Sequence, residues 1–136
     1  MQKGVIELLK EFDEQVRVDR SCELNAMVLK GVLSHCHQVD SQRVFVREIA
    51  ATVNEFYREE GESLKISNKK VGHVLKNLGL YTRRLGNAGR GLILDRATQN
   101  RAHELCYANE VLPNSDEGPA CGYCHNLQLL DIQEVV

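Results

Sequence analysis

The stretch ISNKKVGHVLKNLGL, from Ile66 to Leu80, decides the predicted fold. Ser67 stands where its hydroxyl can accept one of the first free backbone N–H groups of a helix, so it predicts the N-cap. The apolar residues that follow recur at helical spacing and predict a buried stripe of Val71, Val74, Leu75 and Leu78. Gly79 comes where helices commonly exit through a left-handed residue, so the helix should end at about Leu78.

A glycine-rich β-hairpin is predicted directly after this helix. Its strands are Leu80–Leu85 and Leu92–Leu94, and its loop is the intervening Gly-Asn-Ala-Gly-Arg-Gly of residues 86–91. The glycines of the loop permit the positive φ angles that tight connections need. Beyond the hairpin, Asp95 predicts the cap of a last helix that ends at about Asn109. The buried face of that helix is predicted to comprise Ala102, Leu105 and Cys106.

Three amphipathic helices are predicted upstream, over residues 3–18, 24–37 and 46–57. Ser21 is the predicted cap of the second helix, and Gly61 is predicted to end the third. The buried stripe of the second helix is predicted to comprise Leu24, Val28, Val32 and His35. Residues 38–42 predict a polar link, residues 112–120 predict a loop, and residues 127–136 form a short apolar tail.

Charge is distributed unevenly along the chain. The segment Leu64–Arg101 contains nine Lys or Arg and one acid, so it carries +8, whereas the whole chain carries −2. The remaining residues must therefore sum to −10. An acidic body with a basic insert indicates a surface that binds a polyanion.

Length and composition are those of one globular domain. The chain has 136 residues, of which 43% are hydrophobic and 26% charged, and this balance excludes disorder over most of its length. No apolar run approaches the roughly 18 residues that cross a membrane, and none follows a positive N-terminus in the manner of a signal peptide. The sequence therefore predicts a cytoplasmic protein without a membrane partner.

The order of the predicted elements is that of a winged helix-turn-helix: helices, a capped helix with a basic face, and then a glycine-tipped hairpin. The predicted fold class is mainly α with a small β-hairpin, plus an extra N-terminal helix and a C-terminal tail. Residues 1–110 are predicted to form the winged-helix domain with its helical extension. Residues 111–136 are predicted to form a loop and a Cys-x-x-Cys tail.

In such a fold the capped helix, residues 68–78, would lie in the major groove of duplex DNA, and the wing, residues 81–94, would contact the backbone. The predicted DNA-binding residues are Asn68, Lys69, Lys70, His73 and Lys76 on the helix, and Arg83, Arg84 and Arg90 on the wing. Asparagine can pair with adenine and lysine with guanine. The alternative for this helix is that its basic face is a solvated surface that binds no ligand.

The run Ile66–Leu80, followed by Thr82-Arg-Arg84 and the glycine-rich loop, resembles the winged-helix module at the C-terminal end of phage and plasmid primase-helicase ATPases. Similar modules occur in replication initiators and DNA-dependent regulators. The resemblance covers roughly Arg43–Asn109 and implies a DNA-binding role in replication or regulation. The chain departs from the ATPases because it contains no Gly-x-x-x-x-Gly-Lys-Ser/Thr phosphate loop. A separated module or a small stand-alone relative is therefore expected, without ATP hydrolysis.

A second class of function stays open, since winged helices also dock proteins. In this alternative the chain is a docking or dimerisation module that does not bind DNA. Residues 3–18 or 127–136 would pair with a second copy or with another protein, and a homodimer or a larger replication assembly is expected to follow. No serine elbow, paired-carboxylate motif or phosphate loop is present, so the chain is predicted not to be an enzyme.

The cysteine and histidine spacing predicts a structural zinc site. Five cysteines in a chain without an export signal favour reduced thiols or metal ligands over disulfides. His103-x-x-Cys106 and Cys121-x-x-Cys124 supply two pairs of ligands for a tetrahedral site that would link the last helix to the tail. His125 could replace His103, and the alternative for all these residues is a packing or loop role without metal.

The run His35-Cys36-His37 is predicted to have a packing role. Neighbouring side chains on a helix point about 100° apart, so these three cannot easily share one metal.

Overall fold

The structure, a computed structural model, describes residues 22–38, 42–112 and 121–126. Its helices are α1 over residues 22–36, α2 Val46–Glu59, α3 Asn68–Asn77, α4 Arg96–Ala108 and α5 Gly122–Asn126. Its strands are β1 Arg43–Phe45, β2 Arg83–Arg84 and β3 Arg90–Ile93, which form one antiparallel sheet in the order β1-β3-β2. The described part is mainly helical with a small antiparallel sheet, as predicted. The predicted helix over residues 3–18, the Ser21 cap, the loop from residue 113 to 120 and the tail over residues 127–136 lie outside the described residues.

Helix α3 forms where its sequence predicts it. The Ser67 hydroxyl accepts the backbone N–H of Lys70 at 3.1 Å, and the inward side chains Val71, Val74 and Leu75 are buried. Gly79 adopts a φ of +82°, a left-handed conformation that glycine reaches without strain. The Leu80 N–H then bonds back to the Leu75 carbonyl at 2.9 Å, which closes the helix end.

The sheet has one strand more than the sequence predicts. Strand β1 pairs with β3 along Arg43–Phe45, so that Val44 lies opposite Leu92 and both are buried. The sequence does not predict β1, because a strand of three residues is too short to show an alternation of apolar and polar side chains. It is also followed at once by α2, without a turn that would mark its end. Strand β2 is shorter than the predicted strand Leu80–Leu85, whereas β3 begins at Arg90, two residues earlier than predicted. The loop is therefore shorter than predicted, and a bond from the Leu85 N–H to the Gly89 carbonyl at 2.8 Å closes it.

The core brings four helices and the sheet together. Its fully buried side chains include Leu29 and Leu33 of α1, Ile49 and Val53 of α2, Leu75 of α3, Leu92 of β3 and Ala102 of α4. The predicted stripe of α1 is confirmed at Val28, Val32 and His35, which are buried. His35 Nε2 lies 3.0 Å from the Thr52 hydroxyl, so this histidine has the packing role that was predicted for it.

Asn54 of α2 holds the connection that leads into α3. Its side chain accepts the Ile66 N–H at 2.6 Å and donates to the Ile66 carbonyl at 3.0 Å. Both backbone groups of the residue before the Ser67 cap are therefore tied to α2. The starting point and direction of α3 are fixed by side-chain bonds as well as by apolar packing.

Replacing Gly91 with Ala is expected to lower the free energy of unfolding by roughly 1–3 kcal/mol. A Cβ at residue 91 would overlap the Val44 carbonyl and lie 2.9 Å from Phe45 Cα, so β1 and β3 would have to move apart. Gly72→Ala is the matched control, because its Cβ would meet only Val46 Cγ1 at 4.0 Å. Urea denaturation measures both variants, and Gly72→Ala should be neutral or stabilising by up to about 1 kcal/mol. Equal stability of the two variants would contradict the close pairing of β1 with β3.

Candidate nucleic-acid interface and metal-ligating group

A groove of about 930 Å³ runs between α3 and the β2–β3 hairpin. We name it the basic groove, and its lining consists of Val46, Arg47, Ser67, Asn68, Lys69, Lys70, Gly72, His73, Lys76, Tyr81, Thr82, Gly89 and Arg90. Five of these residues are Lys or Arg, and no Asp or Glu is among them. The groove therefore presents an uncompensated positive lining to solvent.

Most of the predicted DNA-binding residues line this groove. Those on α3 are Asn68, Lys69, Lys70, His73 and Lys76, all of them exposed, and Arg90 faces them from the hairpin. Arg83 and Arg84 are exposed on β2 but do not line the groove. Arg84 lies opposite Arg90 in the strand register, so it stands at the edge of the groove.

Arg83 lies close to the carboxylate that caps α4. The Asp95 side chain accepts the Thr98 N–H at 2.8 Å, and this bond is the main reason why the pKa of Asp95 lies below its ordinary value. The positive charge of Arg83 lowers that pKa further. The negative charge of Asp95 therefore offsets part of the positive charge of Arg83. No carboxylate is found near Arg84 among the contacts described.

Two groove residues were missed by sequence reasoning. Arg47 belongs to the first turn of α2, but its guanidinium lies 4.3 Å from the centre of the Phe45 ring and donates to the Ala88 carbonyl at the hairpin tip. Tyr81, with 74% of its surface exposed, is the most exposed large hydrophobic residue of the described chain. Tyr81 could have been noticed in the sequence as an aromatic residue that follows a basic helix. The contact of Arg47 with Ala88 could not, because the two residues are 41 positions apart in the sequence.

The Arg90 side chain is held in place on the hairpin. Its Nε donates to the Thr82 hydroxyl at 3.3 Å, and its Nη2 donates to the Thr82 carbonyl at 3.0 Å. A guanidinium has five N–H donors, so others remain to face a ligand. Together with the Arg47 bond to the loop, these contacts give the hairpin side of the groove cations in defined positions.

A second cluster lies at the C-terminal end of α1. His37, His103, Cys121 and Cys124, which we name the metal-ligating group, place one nitrogen or sulfur atom each within 4.8 Å of all the others. His37 Nε2 lies 3.2 Å from Cys124 Sγ, and His103 Nε2 lies 3.4 Å from Cys121 Sγ. The side chains of His103 and Cys124 are fully buried. The group could bind a metal ion.

This group differs from the ligand set predicted from spacing. It contains three predicted ligands, but His37, which was assigned to packing, takes the place of Cys106. Cys106 Sγ instead donates to the Leu29 carbonyl at 3.6 Å. Cys106 lies near Cys124 and Cys36 but does not belong to the group. His125, the alternative ligand, is exposed and lies outside the group.

The hydrogen bonds around His103 leave one ring nitrogen facing the cluster. Its Nδ1 lies 2.7 Å from the Gln99 carbonyl and donates to it, so the lone pair is on Nε2, which faces Cys121. Burial lowers the pKa of His103, so the ring is neutral at pH 7. The ring also stacks on Tyr123, with centroids 5.1 Å apart.

Three cysteines in or near the group hold their protons more tightly than an exposed thiol does. Burial raises the pKa of Cys124 well above its ordinary value, and the neighbouring Cys121 adds to the rise. Burial likewise raises the pKa of Cys36 and of Cys106 to about 12. A metal that binds to Cys124 must therefore displace its proton.

Comparison with known proteins gives no match: no protein-family model, no curated protein and no solved structure is significantly similar to this chain. In the part of the chain that the structure describes, no helix is long and apolar enough to cross a membrane. The functional assignment therefore rests on the basic groove and the metal-ligating group of the described residues.

Proposed function

We propose that the protein is a winged-helix module that binds duplex DNA, with α3 in the major groove and the β2–β3 hairpin as the wing. The observation that carries this proposal is the basic groove, in which five Lys or Arg and no carboxylate line the space between a capped helix and a hairpin. The element order also supports it. A helix, a strand, two helices and a hairpin whose second strand pairs with β1 follow the winged-helix plan.

The exposed face of α3 has the chemistry of a base-reading surface. Asn68, Lys69 and His73 stand on the first turns, and the major groove is wide enough to admit such a helix. The side-chain bonds of Asn54 fix the direction from which the helix would enter. Gly72 faces the groove without a side chain, so the helix backbone can approach the DNA closely there.

The hairpin and α2 would hold the phosphate backbone on either side of α3. Arg90 and Arg84 belong to the wing, and Arg47 reaches the wing tip from α2. Contacts of this kind fix the register of a protein on DNA but carry no sequence information. Affinity is therefore assigned to the lysines and arginines together, and sequence preference to the first turns of α3.

The setting that we propose is DNA replication or regulation, and it rests on the resemblance of Ile66–Leu80 and the following hairpin to primase-helicase modules. The chain would act there as a binding module and not as an enzyme. A metal in the metal-ligating group is proposed to be zinc with a structural role. Four protein donors would fill a tetrahedral shell and leave no open position for a substrate.

Salt dependence tests the DNA proposal. If the groove neutralises about five phosphates, the logarithm of the binding constant should fall against the logarithm of salt with a slope of about −4 to −5. Fluorescence anisotropy with random-sequence duplex and with single strands of equal length measures the slope, and the duplex should bind more tightly. Absence of binding to both at low salt would overturn the proposal in favour of protein docking. Binding that is equally tight at low and moderate salt would overturn its electrostatic basis.

A further inference from the structure

We infer that the chain binds one Zn²⁺ through His37, His103, Cys121 and Cys124, and that this ion fastens α5 to the helical core. The inference goes beyond DNA binding, because none of the four side chains lines the basic groove. It also replaces the ligand set that the sequence spacing suggests, since it includes His37 and excludes Cys106.

The distances fit a tetrahedral zinc site. Zn–S bonds of about 2.3 Å and Zn–N bonds of about 2.0–2.1 Å place neighbouring ligand atoms roughly 3.3–3.8 Å apart. The His37–Cys124 and His103–Cys121 distances of 3.2 Å and 3.4 Å are already close to that range. The remaining distances, all within 4.8 Å, would have to shorten by at most about 1.5 Å.

The donor atoms favour zinc over the common oxygen-binding cations. Two thiolates and two imidazoles are typical ligands of tetrahedral Zn²⁺, whereas Mg²⁺ and Ca²⁺ take carboxylate and carbonyl oxygens. No carboxylate belongs to the group. Two nitrogen and two sulfur donors complete the shell of a single ion, so the site is closed.

The surroundings of the group orient its ligands. The Gln99 carbonyl accepts the Nδ1 proton of His103, an arrangement that fixes the tautomer of metal-binding histidines. Tyr123 stacks on the same ring. Burial of His103 and Cys124 limits the access of water to their ligand atoms.

Helix α5 supplies an independent reason for a bound ion. It has five residues, far fewer than the 12–15 that an isolated helix needs to be even marginally stable. Its buried contribution to the core is Cys124, and Cys121 at its start is packed against the core. Few apolar side chains hold this segment in place. An ion bound to Cys121 and Cys124 on one side and to His37 and His103 on the other would anchor it to the end of α1 and to α4.

Metal analysis of the full chain, purified without chelator, loaded with a small excess of Zn²⁺ and then dialysed against metal-free buffer, is the first part of the test. About one equivalent of zinc per chain is expected. Less than about 0.3 equivalents after this loading would overturn the inference. A retained excess well above one equivalent would overturn the single closed site.

Co²⁺ substitution of the unmodified chain identifies the ligand set without any variant. The inferred set contains two thiolates, whereas the set predicted from spacing contains three. Tetrahedral Co²⁺ should give visible bands with a thiolate charge-transfer intensity that corresponds to two Co–S bonds. An intensity that corresponds to three bonds would exclude His37 as the fourth ligand, and a spectrum of octahedral Co²⁺ would overturn the tetrahedral site.

Variants confirm the assignment residue by residue. His37→Ala and Cys121→Ser are each expected to weaken zinc binding at least 100-fold, and Cys36→Ser and Cys106→Ala are the matched controls that should keep one equivalent. Circular dichroism with zinc present checks that each variant is folded. Loss of zinc from a folded Cys106→Ala variant together with its retention by His37→Ala would overturn the inferred ligand set.

Discussion

Removing zinc from the metal-ligating group is expected to lower the melting temperature of the protein by roughly 10–20 °C. An ion present at about 1,000 times its dissociation constant stabilises the folded state by about 4 kcal/mol. For a chain of 136 residues, each kcal/mol corresponds to a shift of roughly 3–5 °C. Without the ion, α5 is held by its packing on α4 and by the contact of Cys124 with His37, and it loses the metal bonds.

Differential scanning calorimetry with and without a zinc chelator measures this shift. Addition of Zn²⁺ should restore the melting temperature, and addition of Mg²⁺ should not. The Cys106→Ala variant should start from a lower melting temperature, because Cys106 is buried, but it should show the same dependence on zinc. A melting temperature that is unchanged by the chelator would contradict a structural role of the metal.

The features that the sequence predicted well are those that local chemistry decides. The Ser67 cap, the stripe of Val71, Val74 and Leu75, and the Asp95 cap all act within one or two helical turns. Their physical causes lie in neighbouring residues, so a single sequence contains enough information to place them.

The features that the sequence missed depend on which elements pack together. Strand β1 is defined by its pairing with β3, since three residues are too few to show a pattern. Arg47 reaches Ala88 across 41 residues, and His37 meets Cys124 across 87 residues. No local rule connects positions so far apart.

The exchange of Cys106 for His37 has the same cause. His103 and Cys106 are three residues apart, so both lie near one face of α4, and spacing alone makes them a pair of ligands. The packing of α1 separates them, because His103 faces the end of α1 and Cys106 faces the Leu29 carbonyl. Only the position of a second helix decides which of the two residues meets the metal.

Neutralising the basic residues at the groove is expected to weaken duplex binding by roughly 100-fold at moderate salt. The variant replaces with Gln two cations that line the groove, Lys69 and Lys70, and two on the adjacent strand β2, Arg83 and Arg84, so that each charge is removed and a polar side chain is kept. Each of these side chains is exposed, so the fold should be preserved. If each contacts a phosphate, the salt slope should become less negative by about 3–4.

A charge-matched control separates the groove from the net charge of the protein. It replaces the same number of cations elsewhere on the described surface with Gln: Lys30, Arg58, Arg96 and Arg101. None of these four belongs to α3 or to the β2–β3 hairpin. Long-range attraction changes equally in both variants, so any difference between them reports direct contact.

The duplex affinity of these two variants, measured side by side with the unmodified chain, decides whether the basic groove is the DNA-binding surface. A loss of roughly 100-fold is expected for the groove variant and of less than about 5-fold for the control. An equal loss in both variants, or an unchanged affinity of the groove variant, would contradict this expectation.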